Sequence, residues 1–169
     1  MTSPLFAPWR LPYIKALGKS DACFLCAAGA ATDPEVKREL LVLWTTPESI
    51  VLINRFPYAN GHLLVAPRAH KAELGELTDA EQLDLTAQTI ACVNLLKRAV
   101  SAQGFNIGIN LGLVAGAGLP GHVHQHVVPR WGGDINFMSV VGDTRVVPQT
   151  TSQLYEELIR VAAEMEKQA

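Results

Sequence analysis

Two periodicities alternate along the chain. Short apolar runs bounded by Pro, Gly and Asn have the length and composition of strands. Leu40 to Trp44 is the first such run, broken by Thr45-Thr46-Pro47-Glu48, and Ser49 to Arg55 is the second. Phe56-Pro57-Tyr58-Ala59-Asn60-Gly61 is a turn by its Pro and Asn-Gly content. His62 to Ala66 follows as a third strand stopped by Pro67, so an antiparallel meander is expected. Thr78-x-x-Glu81 is a capping box, in which each side chain satisfies an orphan amide of the other residue. It opens a long helix to about Ser101, with Leu85, Cys92, Leu96 and Ala99 among its apolar positions. Phe105 to Leu111 predicts a fourth strand, Gly112 to Gly121 a glycine-rich loop, and His122 to Val128 a fifth strand stopped by Pro129. A last helix is expected from Gln153 to Lys167, with Leu154, Leu158, Val161, Ala162 and Met165 on one face. Residues 1–38 read as an irregular N-terminal segment. The order predicts an α+β fold in a single domain, 1–169, with a long helix and a C-terminal helix packed on a mostly antiparallel five-stranded sheet.

Composition narrows the function without naming it. With 169 residues the chain suits one domain that needs no disulfide staple. The formal net charge is -2, from 14 basic and 16 acidic residues without a basic block, which argues against long nucleic acid as a partner. No apolar run approaches the ~18–20 residues that span a bilayer. The N-terminal Met1 to Arg10 lacks the continuous apolar stretch of a secretion signal. Three cysteines do not describe a disulfide framework, and a cytoplasmic protein without membrane association is expected.

Three of the five histidines fall within five residues, His122, His124 and His126. On a strand they would share one face at a spacing of ~6.6 Å, with Val123 and Val127 turned to the core. Neutral imidazole, with an ordinary pKa of ~6.5, is a good nucleophile towards phosphorus. Attack would split one difficult displacement into two through a phospho-histidine. The adjoining glycine-rich loop offers backbone N–H groups to phosphate oxygens. A metal-binding strand and a coincidental polar edge are the rival readings. Cys23-x-x-Cys26 has metal-ligand spacing and supplies half a site. Its rivals are a redox pair and two ordinary thiols, and Cys92, mid-helix, reads as core.

The run His122-Val123-His124-Gln125-His126-Val127-Val128 resembles the histidine-triad family, whose pattern is His-φ-His-φ-His-φ-φ with φ apolar. Asn54-Arg55-Phe56-Pro57-Tyr58-Ala59-Asn60-Gly61-His62-Leu63-Leu64-Val65 is similar to that family's ribose-binding strand and turn. Ala7-Pro8-Trp9-Arg10, Trp131-Gly132-Gly133-Asp134 and Asn136-Phe137-Met138 are similar to its bacterial branch of diadenosine tetraphosphate phosphorylases or hydrolases. The resemblance implies the histidine-triad fold and a homodimer. It implies cleavage of adenylyl polyphosphates or conjugates at the α-phosphorus, with His124 as nucleophile and His122 and His126 on phosphate oxygens. Asn54 would bind ribose, His62 would sit near the nucleophile, Leu52 and Leu64 would line the base pocket, and Asn110 would reach the phosphates. The bland readings are a turn-starting Asn54, a strand-end His62 and a core Leu52–Leu64 pair. A structural zinc at Cys23, Cys26, His70 and His122 is implied in the same way, with no organic cofactor. Gln125 stands where the pattern is apolar. Gly118 stands where many relatives carry a Gln or Ser that reaches a bridging or leaving-group oxygen, so hydrolysis and phosphorolysis both stay open. The rival function is a nucleotide-binding sensor or partner-binding module with little turnover.

Overall fold

The computed structural model describes residues 23–134 and 147–168. Five strands form one sheet: β1 (Val42–Thr45), β2 (Ser49–Ile53), β3 (Leu63–Pro67), β4 (Gly104–Ile109) and β5 (Gln125–Arg130). Their order is β1-β2-β3-β5-β4, and every neighbouring pair is antiparallel. Among the described residues, four α-helices accompany them: α1 (Phe24–Ala30), α2 (Pro34–Glu39), α3 (Asp79–Val100) and α4 (Thr151–Glu166). The expected α+β class, the antiparallel meander and both long helices are present.

Alternation along the strands divides the core in two. Val51, Ile53, Leu63, Val65 and Val127 bury against α3 and α4 through Leu85, Leu95, Leu96, Leu154 and Leu158. Cys92 is fully buried in this larger core, as expected. The opposite face holds Ile50, Leu52, Leu64 and Ala66, covered by Leu25 and Ala28 of α1. Each such aliphatic side chain contributes about 1.5–3 kcal/mol when removed from water. The second face is the functional one, because His126 pairs directly with Leu64 and so shares its side of the sheet.

Two expectations need correction. Part of the supposedly irregular 1–38 is helical. Cys23 Sγ accepts the amide of Cys26 at the start of α1, and Asp33 accepts the amides of Glu35 and Val36, with Pro34 in the first turn of α2. Both helices span fewer than two turns, too few for a 3.6-residue apolar period to recur along the sequence. The fifth strand also begins at Gln125 rather than His122 and runs through Pro129 to Arg130. Pairing with β3 ends at Val127, and beyond it β5 pairs with β4 alone. A residue without an N–H is tolerated where one side of the ladder has no partner. The segments Ala7 to Arg10 and Asn136 to Met138 lie outside the described residues.

Candidate active site and metal site

His122 and His124 precede β5 in a bent, extended segment, so the three rings do not stand as an even row on one strand. Each takes a different environment. His124 is 6% exposed, and its Nδ1 lies 2.8 Å from the carbonyl oxygen of His122. A carbonyl only accepts, so Nδ1 carries the proton and the Nε2 lone pair is left bare. Burial lowers the pKa of His124, against the opposing hydrogen bond to His122, and favours the neutral ring.

His126 is set by a relay from the turn between β2 and β3. The Tyr58 amide donates to His62 Nδ1 at 3.1 Å. His62 Nε2 therefore carries the proton and donates to His126 Nδ1 at 2.9 Å. That leaves His126 with its proton on Nε2, next to the His124 ring at a centroid distance of 5.1 Å. Burial first, and then the neighbouring imidazoles, push His62 down to about 3 and His126 down to about 4. The pair is neutral at physiological pH. The amide of Asn110 is 3.5 Å from His126 Nε2, and the Asn54 amide lies 3.3 Å from His62 Nδ1. Asn54 also accepts the Phe56 amide at 3.0 Å through Oδ1, which orders the start of the turn. A hollow of about 260 Å³ opens beside His126, bordered by Tyr58, Ile107, Asn110 and Val128.

His122 is fully buried and turned away from this hollow. Its Nε2 lies 2.9 Å from the Pro67 carbonyl, so Nε2 carries the proton. Its bare Nδ1 faces Cys23 Sγ at 3.2 Å and Cys26 Sγ at 3.6 Å. His70 Nδ1 lies 3.2 Å from Cys26 Sγ. The implied role of His122 on a phosphate oxygen thus finds both ring nitrogens engaged elsewhere. The four ligand atoms of Cys23, Cys26, His70 and His122 lie within 4.8 Å of one another. A tetrahedral zinc with ligands at roughly 2.0–2.3 Å places them roughly 3.3–3.8 Å apart, so two thiols and two imidazoles fit this ion after small shifts. The hydrogen bond from His122 to Pro67 is the outer partner that orients a ligating imidazole. All three cysteines are free thiols.

The remaining sequence-derived positions fall into place unevenly. Leu52 and Leu64 face the histidine side of the sheet but are buried in the smaller core with Leu25, so the core reading describes their packing. Gly118 is half-buried in the loop before His122, and Gln125 is half-buried at the start of β5. The carbonyls of Pro67 and His122 and the amide of Tyr58 escaped the sequence reading, because backbone groups carry no residue-type signal. Among the described residues, no helix is long and apolar enough to cross a membrane.

The HIT domain matches residues 35–133. Over 98 residues the chain is 46% identical to AP-4-A phosphorylase of Mycobacterium tuberculosis, covering 58% of this chain and 50% of the other. It is 35% identical over 95 residues to the asymmetrical bis(5'-nucleosyl)-tetraphosphatase of Schizosaccharomyces pombe, covering 56% and 52%. The chain thus spans about half the length of the curated relatives it matches. In fold it resembles a Zn-bound histidine triad family protein from Mycobacterium smegmatis, with a TM-score of 0.67 at 23% identity over 88% of this chain and 98% of that one. The Plasmodium falciparum diadenosine triphosphate hydrolase superposes with a TM-score of 0.61 at 24% identity, over 78% of each chain. With the family's domain covering more than half its length and its three histidines gathered on one side of the antiparallel sheet, the chain belongs to the HIT family.

Proposed function

We propose that the chain is an enzyme that cleaves adenylyl polyphosphates, diadenosine polyphosphates first among them, at the α-phosphorus through a nucleotidyl-histidine. The observation that carries this reading is the 2.8 Å contact of His124 Nδ1 with the His122 carbonyl, which can only accept, so that Nδ1 carries the proton and Nε2 is bare. Nε2 forms the bond to phosphorus as the bond to the leaving polyphosphate oxygen breaks. The positive charge that then develops on the ring is stabilised at Nδ1 by the same carbonyl. His126, kept as an Nε2–H donor by His62, serves a phosphate oxygen, with Asn110 beside it. Asn54 takes the ribose hydroxyls. Leu52 and Leu64, packed under α1, back the site from within the smaller core rather than touching the base, and the loop holding Gly118 offers amides to the phosphates. Water or inorganic phosphate then attacks phosphorus and breaks the Nε2–P bond, giving hydrolysis or phosphorolysis. Similarity to both a phosphorylase and a tetraphosphatase supports this substrate class and leaves the second nucleophile open.

A structural zinc at Cys23, Cys26, His70 and His122 belongs to the same reading, supplying rigidity rather than chemistry. So does a homodimer, for which β4, an edge strand with Ile107 exposed, is the surface on offer. The test is a product assay on diadenosine tetraphosphate. ADP plus ATP that depends on added phosphate marks phosphorolysis, and AMP plus ATP in either buffer marks hydrolysis. His124→Gly should abolish turnover while binding persists, and acid-labile nucleotide should be trapped on wild-type protein only. Equal turnover in the two proteins removes the mechanism. Binding without turnover in wild type favours a nucleotide sensor.

A further inference from the structure

The turn that carries the nucleophile is pinned from one segment outside the triad. Pro67 accepts from the His122 ring at 2.9 Å. Lys71 accepts the Val123 amide at 2.7 Å through its carbonyl. His70, between them, faces Cys26 in the metal cluster. The Lys71 side chain is itself tied down, with Nζ 2.6 Å from Glu81 Oε2. Glu81 is only 4% exposed, and the same oxygen accepts the Thr78 amide at 2.7 Å as part of the α3 cap.

A helix cap does not require a buried charge, since capping boxes function at the surface. Burying a carboxylate is costly unless it is paired and hydrogen-bonded. Here the pairing fixes the residue whose carbonyl holds Val123, which lies between His122 and His124. If the peptide at Lys71 rotates, the amide of buried Val123 loses its acceptor, an unfavourable state that couples the two segments. The next link in the chain is the His122 carbonyl, which selects the Nδ1–H form of His124.

We propose that Lys71 and Glu81 are positioning residues for His124. Their ion pair anchors the Lys71 carbonyl on Val123, and that anchor keeps the His122 carbonyl against His124 Nδ1, so that one tautomer is populated. The inference rests on the reading of His124 as nucleophile only for its effect on rate; the tautomer is measurable without turnover.

The experiment uses the metal-loaded protein labelled with ¹⁵N at histidine. Wild type should show His124 protonated at Nδ1 alone. Glu81→Ala and Lys71→Met should add the second tautomer and lower kcat by about tenfold or more, as misplacement of a reacting group does. Affinity for a non-hydrolysable dinucleotide analogue should stay within about twofold, since ground-state contacts are untouched. The metal content should match wild type. Thr150→Ala, at the remote cap of α4, should lower Tm without changing the tautomer or kcat. If Glu81→Ala does not fold, the double variant Lys71→Met/Glu81→Gln removes the ion pair without leaving a buried charge and should show the same two effects. A single tautomer with unchanged kcat overturns the proposal. So does loss of metal in the variants, which would route the effect through the cluster, and so does an equal loss in Thr150→Ala. A wild type that cleaves no nucleotide refutes the functional reading alone, and the tautomer arm still decides this one.

Discussion

His62 and His126 are two imidazoles that share one proton path and are held neutral by burial. Their native values, about 3 and about 4, lie below the ordinary ~6.5 of the unfolded chain. Between those limits the unfolded state binds more protons, so stability falls as pH drops through the window and rises with pH up to ~6.5. For the fully buried His62, the loss between pH ~6.5 and pH ~5 is about 2 kcal/mol. Denaturant melts at pH 7.5 and pH 5.0 should show this slope, and His62→Asn should flatten it. An unchanged midpoint at pH 5.0 in wild type would contradict the relay. The count and spacing of these histidines were plain in the sequence. Their division of labour was not: His122 goes to the cysteines and His126 to His62, and only contacts across 99 and 64 residues decide that.

At the scale of elements, turns and caps set the frame of the site. Gly61 closes the Asn-Gly turn at φ +79°, and a Cβ there would meet Leu96 Cδ2 at 2.9 Å and Pro129 Cγ at 3.2 Å. Gly61→Ala combines left-handed strain with overpacking and is expected to cost about 2–4 kcal/mol. Because His62 follows directly, it should also reduce turnover; a stability loss under about 0.5 kcal/mol, the range of an ordinary surface change, would show the turn to be tolerant. The α4 cap is milder: Thr150 Oγ1 accepts the Gln153 amide at 3.3 Å, and Thr150→Ala should cost about 1 kcal/mol by thermal melting. That cap stands in the sequence as Thr150-x-x-Gln153, the same pattern that located α3, and it places the start of α4 two residues earlier than its apolar face suggests. The two short helices were hidden for a different reason. Six or seven residues make fewer than two turns, too few for the apolar period to recur along the sequence, and their stability comes from caps and from the sheet face that α1 covers.

Across the whole molecule, the cysteine–histidine cluster joins the start of α1, the segment after β3 and the first triad histidine. A bound ion would clip together pieces 99 residues apart in the chain, and its binding free energy would appear as folding free energy. At a free zinc concentration 100 times Kd this stabilisation is about 2.7 kcal/mol. Purified protein should hold about one zinc per chain. Chelation or Cys26→Ser should lower Tm by several degrees, and His70→Ala should do so by less, because His70 is exposed. Metal-free protein with an unchanged Tm would contradict the cluster's role. Cys92 cannot substitute for a lost thiol, since it is fully buried in the larger core.

What the sequence determined by itself is whatever depends on neighbours along the chain: the apolar runs that build β2 and β3, the capping box of α3, the Asn-Gly turn, and a dense histidine run beside glycines. Those local rules, with the family motif, were enough for the class of fold and for the family. The tertiary structure decided what depends on who faces whom. It started β5 at Gln125, because β3 and β4 first offer pairing partners there. It buried Leu52 and Leu64 under α1, a helix too short to read in advance. It set the tautomers of His62, His122 and His124 through a carbonyl or amide that any residue could have supplied. The chemistry of the site resides in those protons, and backbone acceptors brought together by folding leave no trace in a list of side chains.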